Sequence, residues 1–296
     1  TPYLSVGDHC ESEHVTRFIP PTSRGVFSRV LIKKESKNGK NYWSRGPRMI
    51  YVGCVGDVHS PKNLPEFVSA MKKLKDKSFD LFILAGDTIH KGFLKGFNLV
   101  VEVLNEYISC PIVVCFGNEE YFQLEEKFFS QFGEYVSFLN DSSSVFHIKG
   151  KKIGVIGTRG VLDTPTRWQA TNIPNILGIY ENRLNVIDKL LNDLESQKLS
   201  KEIDYSIMVS HYAVGYSLLF GEKEQVYPLL GSKRMENILL GHKNLPTVVI
   251  HAHAHNAKKF RTELGPHILF NVSFPATHSI TCFSLPLSRQ LLLTEF

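Results

Sequence analysis

Short apolar runs alternate with longer amphipathic segments along the chain from about residue 49 onward. The predicted strands lie at 49–56, 80–85 and 111–116, and the predicted helices that follow them lie at about 62–76, 93–108 and 120–132. Because the strands are apolar along their whole length, both of their faces are expected to be buried. The strand–helix–strand order predicts a parallel sheet with right-handed crossovers.

The second half of the chain continues with strands on either side of one long helix. The stretch VFHIKGKKIGVIGT predicts two strands that meet at Gly150. A helix is predicted at about 179–198, since Leu184, Ile187, Leu191 and Leu194 share one helical face. The remaining predicted strands are YSIMVSH, TVVIHAH, HILFNVSF and SITCFSLP. Together these elements predict an α/β domain over residues 49–296.

Residues 1–48 show a different pattern, and we expect them to form an N-terminal extension. One arm of a β-hairpin is predicted at 30–34, a turn at Asn38-Gly39 and a returning arm at Tyr42-Trp43. Basic side chains are frequent in it: Arg29, Lys33, Lys34, Lys37, Lys40, Arg45 and Arg48. Two interpretations stay open at this point. The hairpin is either a solvated edge or a basic arm that contacts a phosphate-bearing substrate or another subunit of a homo-oligomer.

Composition narrows the class of protein without naming a function. Of 296 residues, 43% are hydrophobic, enough for a sizeable core, and the formal charge of +5 falls short of a nucleic-acid-binding signature. The five cysteines are scattered without a C-x-x-C pair, which predicts reduced thiols and a cytoplasmic location. No 18-residue apolar stretch occurs, so no transmembrane helix is expected.

Metal-ligand residue types follow five of the predicted strands. These residues are Asp57, His59, Asp87, Asn118, His211, His253 and His255. In open α/β sheets, ligands bind at the carboxyl ends of strands, so one crevice is expected to collect these side chains. A single Asp at such a place usually caps a helix. The joint pattern instead favours a metal site.

The chemistry of the set suits a pair of metal ions. A dinuclear site needs a bridging carboxylate and several further nitrogen or oxygen ligands. Asp87 could bridge, and Asn118 offers a neutral amide oxygen. Imidazoles together with carboxylates suit Mn, Fe, Zn or Co.

In chain order, the motifs GDVH, GD, GNEE, SH and HAH resemble those of the calcineurin-like metallophosphoesterase family. The resemblance covers about residues 50–275 and implies a four-layer α/β/β/α sandwich of two mixed β-sheets flanked by helices. It implies two divalent metal ions, with Mn favoured and Fe, Zn, Ni or Co as alternatives. By position, Asp57, His59 and His255 would hold the first ion, and Asp87 would bridge. Asn118, His211 and His253 would hold the second ion, and a hydroxide between the ions would attack phosphorus in line.

Two positions depart from the family pattern. Ala252 stands where the family has the glycine of G-H-x-H, and His251 before it is an additional histidine, interpreted as a core or supporting residue. Glu119 stands where a histidine assists the leaving group, oriented by the acid that here is Glu120. Three interpretations of Glu119 stay open: a working general acid, an inert substitution in an enzyme of substrates with good leaving groups, or the mark of a scaffold without catalysis. With Asn118 and His211, Glu119 completes the candidate catalytic residues.

Other residues are candidates for contact with the substrate. Lys91 lies in GDTIHKG, which resembles G-D-x-V-D-R-G of the protein phosphatases and places Lys91 where an arginine binds phosphate. Arg159 begins a predicted loop, and Tyr212 follows His211. In the same loop, Arg167 beside Trp168 could clamp a phosphate and stack a base, although surface packing is the more common role of such a pair.

These observations predict a metal-dependent phosphoesterase that acts on phosphodiesters or phosphomonoesters of a small or nucleotide-like kind. One alternative is a metal-dependent nuclease, for which the basic arm at 29–48 is the sequence feature in favour. The alternative from another class is a non-catalytic scaffold on the same fold, which absence of bound metal would favour.

Overall fold

The computed structural model describes residues 49–287 and, in backbone only, residues 32–34 and 42–44. The chain forms two compact units, Thr1–Pro47 and Arg48–Phe296. In the first unit, β1 (Ile32–Lys34) and β2 (Tyr42–Ser44) pair antiparallel. The turn at 38–39 and the basic side chains lie outside the described residues. The basic arm and the subunit contact therefore stay predictions.

The second unit contains two large sheets and the helices that cover them. Its strands are β3 (Ile50–Val55), β4 (Leu81–Ala85), β5 (Ile112–Cys115), β6 (Ser137–Phe138), β7 (Ser142–Ile148), β8 (Lys151–Thr158), β9 (Tyr205–Ser210), β10 (Ala213–Val214), β11 (Gly231–Ser232), β12 (Thr247–His251), β13 (Arg261–Leu264), β14 (His267–Asn271) and β15 (Thr281–Leu285). Its α-helices are α1 (Leu64–Lys72), α2 (Lys95–Tyr107), α3 (Glu125–Phe132), α4 (Arg167–Asn172), α5 (Ile176–Leu199), α6 (Lys233–Gly241) and α7 (Phe274–Thr277). Short 3₁₀ helices span Phe122–Leu124 and Glu224–Leu229.

Both sheets are mixed, which confirms the expected fold class. The first sheet has the order β15-β3-β4-β5-β6, in which β3 to β6 run parallel and β15 pairs antiparallel with β3. The second sheet has the order β13-β14-β12-β9-β8-β7, with parallel pairing from β14 through β8 and antiparallel strands at both edges. An all-parallel sheet would have needed a crossover to every strand, whereas hairpins supply both edges of the second sheet.

Alternation along the buried strands separates the layers. In β4, Leu81 and Ile83 pack into the core between the two sheets, whereas Phe82 and Leu84 pack toward the helices. The α1, α2 and α3 helices cover the first sheet, and α5 and α6 cover the second. The result is four layers in the order helix, sheet, sheet, helix. The apolar run in each central strand is therefore explained by burial on both faces.

Several elements differ from the sequence prediction. The helix expected from residue 120 begins at Glu125, after a 3₁₀ turn at 122–124, which leaves Tyr121 in the loop that follows β5. The long helix begins at Ile176, three residues before its predicted start. The strand predicted over HILFNVSF ends at Asn271, and Phe274 begins α7. None of the helices in the described part of the chain is long and apolar enough to cross a membrane.

Candidate metal centre

The polar strand ends predicted from the sequence meet at one edge of the two sheets. Asp57, Asp87 and Asn118 follow β3, β4 and β5 of the first sheet, whereas His211 and His253 follow β9 and β12 of the second. Backbone hydrogen bonds fix neighbouring turns to each other, with the amide of Asp57 2.9 Å from Gly86 O. Parallel strands therefore deliver the expected residue types to a common crevice.

Four of the gathered residues have backbone conformations that are rare for side chains with a Cβ. The φ angles are 57° at Asp57, 47° at His59, 47° at Asp87 and 66° at His253. Left-handed non-glycine residues store strain and cluster at functional sites. Their concentration at one crevice indicates that the side-chain directions are maintained at an energetic cost.

One group of ligand-type atoms comprises Asp57, His59 and His255, all within 4.8 Å of one another. His59 Nε2 lies 3.5 Å from His255 Nε2, and His255 Nε2 lies 3.4 Å from Asp57 Oδ2. The other carboxylate oxygen, Asp57 Oδ1, is buried and has no hydrogen-bond partner. A buried carboxylate oxygen that accepts no hydrogen bond and lies beside imidazoles fits a bound cation.

A second group comprises Asp87, His211 and His253, again within 4.8 Å. His211 Nε2 lies 3.4 Å from Asp87 Oδ2 and 3.1 Å from Asn118 Oδ1. The other ring nitrogen of His211, Nδ1, lies 3.0 Å from the carbonyl oxygen of Ala85. If Nδ1–H donates to that carbonyl, Nε2 has a free lone pair, which is the usual arrangement of a metal-binding histidine.

Charge in the crevice also fits cations. Asp57 and Asp87 are fully buried, and within residues 49–287 their ion-pair partners are histidines rather than lysines or arginines. Burial alone would raise the pKa of both carboxyl groups, but the neighbouring imidazoles hold each pKa below its ordinary value. The pKa of His211 is raised to about 9, because the nearby carboxylates outweigh the burial that favours its neutral form. Buried carboxylates typically form salt bridges or coordinate metals, so these residues fit two bound divalent metal ions.

Glu119 lies on the opposite side of the His59 ring from His255, and together with His59 and His90 it forms a third group of ligand-type residues within 4.8 Å. Glu119 Oε2 is 3.1 Å from His59 Nδ1, 2.8 Å from the amide nitrogen of Lys91 and 3.1 Å from His90 Nδ1. Burial would raise the pKa of Glu119, but the hydrogen bond from His59 and the other contacts lower it below its ordinary value. The carboxylate is thus stabilised in its charged form, which is the opposite of what a proton donor needs.

Glu120 supports the strand ends rather than Glu119. Its carboxylate accepts hydrogen bonds from the backbone amides of Gly117, Asp87 and Ile89 at 2.7, 2.8 and 3.1 Å. Burial and the charge of Asp87 raise the pKa of Glu120 to about 6. The residue expected to orient its neighbour instead ties the turn after β5 to the turn after β4.

The structure also accounts for the alanine at position 252. A Cβ built on Gly56 would overlap the Cβ of Ala252, so the absence of a side chain at 56 leaves room for the alanine methyl group. His251 is buried, with Nδ1 3.1 Å from the carbonyl oxygen of Ala252, and burial lowers its pKa to about 4. It lies outside the two ligand groups, in keeping with its expected supporting position.

The predicted substrate residues occupy different environments. Lys91 is exposed at the rim of a cavity that adjoins the ligand groups, and Tyr212 forms part of its buried wall. Arg159 also lines the cavity, but its terminal nitrogens contact Gly117 O and Glu125 Oε1, the latter at 2.6 Å. It therefore holds the turn before Asn118, and its contact with substrate stays a prediction.

The sequence pattern missed some residues of the site. His90 lies three residues after Asp87 in the quoted GDTIHKG stretch, and its proximity to that motif was a usable signal. Gln169, Tyr180 and Arg183 line the cavity from α4 and α5, and no local motif marks them. Trp168 lines the same cavity, whereas Arg167 is exposed and is not among its lining residues.

Comparison with known proteins identifies one matching family and several solved structures with a similar fold. The family described as calcineurin-like phosphoesterase matches residues 50–257. Similar solved structures include a dimetal phosphatase from Danio rerio (11% identity, TM-score 0.53, covering 79% of this chain and 91% of that chain). Others are GAP50, the anchor in the inner membrane complex of Plasmodium (14%, 0.50, 80% and 81%), and TT1561 of Thermus thermophilus (16%, 0.49, 79% and 98%). Among curated proteins, no significant match was found.

Proposed function

The chain belongs to the calcineurin-like phosphoesterase family, and from that membership we propose that it hydrolyses phosphate esters with the help of two divalent metal ions. The observation that carries the proposal is the pair of buried carboxylates, Asp57 and Asp87. Each lies among histidine nitrogens within 4.8 Å, and among the described residues neither pairs with a lysine or an arginine.

We assign one ion to Asp57, His59 and His255, and the other to Asp87, Asn118, His211 and His253. When bound, such ions supply Lewis acidity toward phosphoryl oxygens and lower the pKa of a water molecule. The protein's own contribution is orientation. Its parallel strands fix the carboxylates, and the Ala85 carbonyl fixes the ring of His211.

Glu119 enters the proposal as a positioning residue. Its carboxylate contacts His59 on the Nδ1 side, whereas His255 lies on the Nε2 side of the same ring. Such a carboxylate fixes the tautomer and orientation of a ligand histidine and increases its basicity. The histidine expected at position 119 would have assisted the leaving group directly, so this chain is proposed to depend less on a protein-supplied proton.

The test is metal removal and reloading. We expect chelated protein to lose hydrolysis of bis-p-nitrophenyl phosphate and p-nitrophenyl phosphate, and Mn²⁺ to restore it with measurable bound metal. Asp87→Asn should lose more activity than the roughly 10–100-fold typical of residues that only support a ligand. Asp193→Asn, a change of the same type at an exposed position on α5, is the control and should behave as wild type.

The outcomes separate the alternatives. The preferred ester distinguishes phosphodiesterase from phosphomonoesterase action. Cleavage of an oligonucleotide at a rate that falls steeply as the salt concentration rises would favour a nuclease. Folded protein that binds no metal and cleaves neither ester would contradict the proposal and favour a scaffold.

A further inference from the structure

A cavity of about 340 Å³ opens directly beside the candidate metal centre. The lining includes His253, from the second group of ligand-type residues, and Asn118, whose Oδ1 lies 3.1 Å from His211 Nε2, so a molecule in the cavity would reach the site of the proposed reaction. The volume lies at the small end of the range for ligand pockets. It suits one ring system attached to a phosphate better than a polymer.

The inner wall of the cavity is formed by Gln169, Tyr180 and Tyr212, and its polar side-chain atoms are hydrogen-bonded to one another. Gln169 Nε2 donates to Tyr212 Oη at 2.8 Å, and Tyr180 Oη donates to Gln169 Oε1 at 3.2 Å. The ring of Tyr212 lies edge to face with that of His253, 4.8 Å between centroids. All three wall residues are buried. The wall therefore presents fixed ring surfaces rather than unpaired polar groups.

Two further aromatic rings flank the mouth. Tyr121, in the loop after Glu119, and Trp168, on α4, are inclined by only 21°, with 6.3 Å between ring centroids. Trp168 is 57% exposed. The first turn of its helix is stabilised by a reciprocal capping box between Thr166 and Gln169. An ordered tryptophan left exposed beside a cleft is a suitable surface for stacking a planar ring.

The buried cations at this cavity are already paired. Arg159 contacts Gly117 O and Glu125, and Arg183 Nε lies 2.8 Å from Asp141 Oδ2. Neither guanidinium can neutralise a second phosphate without giving up its half-buried carboxylate partner, Glu125 or Asp141. The buried part of the lining therefore favours an uncharged aromatic group over a chain of phosphates, and Lys91 at the rim is the remaining lysine or arginine of the described lining.

We propose that this cavity binds the planar aromatic part of a phosphate ester, stacked on Trp168 and Tyr121, with the phosphoryl group toward Asn118 and His253. The proposal rests on the proposed phosphoesterase function and names its substrate class. The ring could be a nucleobase or a simple aryl group, because both offer the same flat face. The stacking surface and the ligand groups would thus select esters by the shape of the esterified group.

The test compares phosphonates, which have no leaving group, so that binding is separated from chemistry. Metal-loaded protein is titrated calorimetrically with phenylphosphonate, cyclohexylphosphonate and an adenosine phosphonate. We expect phenylphosphonate to bind about tenfold more tightly than cyclohexylphosphonate, and the adenosine compound to show which ring source fits better. Trp168→Ala should abolish the preference, and Trp168→Phe should retain most of it.

Leu177→Ala is the matched control, since Leu177 is 58% exposed on the neighbouring α5 and does not line the cavity. It should leave the preference unchanged. Equal affinity for the phenyl and cyclohexyl compounds, or a preference that persists in Trp168→Ala, would overturn the inference. If the metal-loaded wild-type protein binds the phenyl and cyclohexyl compounds equally but hydrolyses p-nitrophenyl esters, the inference fails while the phosphoesterase proposal stands. A ring preference in protein that takes up no metal would show the reverse.

Discussion

Replacing Glu119 is expected to weaken metal binding at the group that contains His59, not to remove a proton donor. Glu119 Oε2 is 3.1 Å from His59 Nδ1, and the same oxygen accepts the amide of Lys91 at 2.8 Å. Without the carboxylate, the His59 ring loses the contact that fixes its Nδ1–H tautomer. A histidine with a free choice of tautomer and rotamer must lose that freedom when it binds a metal.

The size of the effect follows from the type of hydrogen bond. A hydrogen bond to a charged group contributes about 1.5–3 kcal/mol and a neutral one about 1 kcal/mol. Glu119→Gln keeps an acceptor oxygen and loses the charge, so about 1 kcal/mol, or about fivefold in metal affinity, is expected. Glu119→Ala loses the acceptor as well, and about 10–100-fold is expected. The amide of Lys91 adds little, since it belongs to an exposed residue that water can reach.

The measurement is a Mn²⁺ titration of metal-depleted protein, followed by electron paramagnetic resonance and by activity at each metal concentration. Hydrolysis is measured on p-nitrophenyl phosphate and on phenyl phosphate, whose leaving group is poorer. We expect both variants to need more Mn²⁺ and to recover most of kcat at saturating metal. At any lower metal concentration, the rate of hydrolysis should fall by the same factor for both substrates. Glu126→Ala removes an exposed glutamate from the first turn of α3 and serves as the control.

A different pattern would refute this reasoning. If the variants bind Mn²⁺ as wild type does, and lose kcat more on phenyl phosphate than on p-nitrophenyl phosphate, Glu119 is a general acid. If neither affinity nor kcat changes, the inert substitution is the correct interpretation. A supporting residue, a general acid and an inert substitution therefore each give a separate combination of metal affinity and leaving-group dependence.

Two further predictions concern the framework of the site and the pH dependence of stability. Gly117→Ala should abolish activity in folded protein, because a Cβ there would overlap Asp87 Oδ1, whereas Gly241→Ala, where a Cβ meets nothing within 4 Å, should be silent; an active Gly117→Ala variant would contradict the placement of Asp87. His267 is fully buried, and burial lowers its pKa to about 4, so the unfolded chain binds a proton below about pH 6.5 that the native chain does not. The free energy of unfolding should fall by about 1.6 kcal/mol from this residue between pH 6.5 and 5. Urea unfolding of His267→Leu should show a pH dependence smaller by that amount, and an unchanged dependence would contradict the burial argument.

The layers of the fold could be predicted because burial on both faces leaves a readable trace. The buried positions of β3, β4 and β5 are apolar on both faces of the sheet. A polar residue follows the end of each of these strands. The six-residue α4 could not be predicted in the same way, because its sequence RWQATN has no apolar period. Its stability comes from the capping box at Thr166 and from the bond between Gln169 and Tyr212, which joins residues 43 positions apart. By contrast, α6 had a readable start, with Ser232 as its N-cap and Met235 and Leu239 buried one turn apart.

The same distinction applies to the site. The ligand-type residues are marked by their position after strands, and the structure brings them into two adjacent groups. The direction of other side chains is set by neighbours distant in sequence. Arg159 has the residue type of a phosphate-binding group, yet Glu125, on α3, holds one of its terminal nitrogens at 2.6 Å. Spacing along the chain contains no information on whether an arginine already has a partner.

Glu119 shows how much depends on the side of a ring that a residue contacts. The group of Asp57, His59 and His255 lies toward His59 Nε2, where His255 is 3.5 Å away, and the Glu119 carboxylate lies toward Nδ1. A carboxylate in that position can stabilise a metal-bound imidazole through its N–H. Its contacts with His59 and the Lys91 amide favour the charged form, so it is poorly suited to donate a proton. We therefore expect that glutamate in place of histidine at 119 exchanges a proton donor for support of a neighbouring ligand, and that catalysis favours esters whose leaving groups need no proton from the protein.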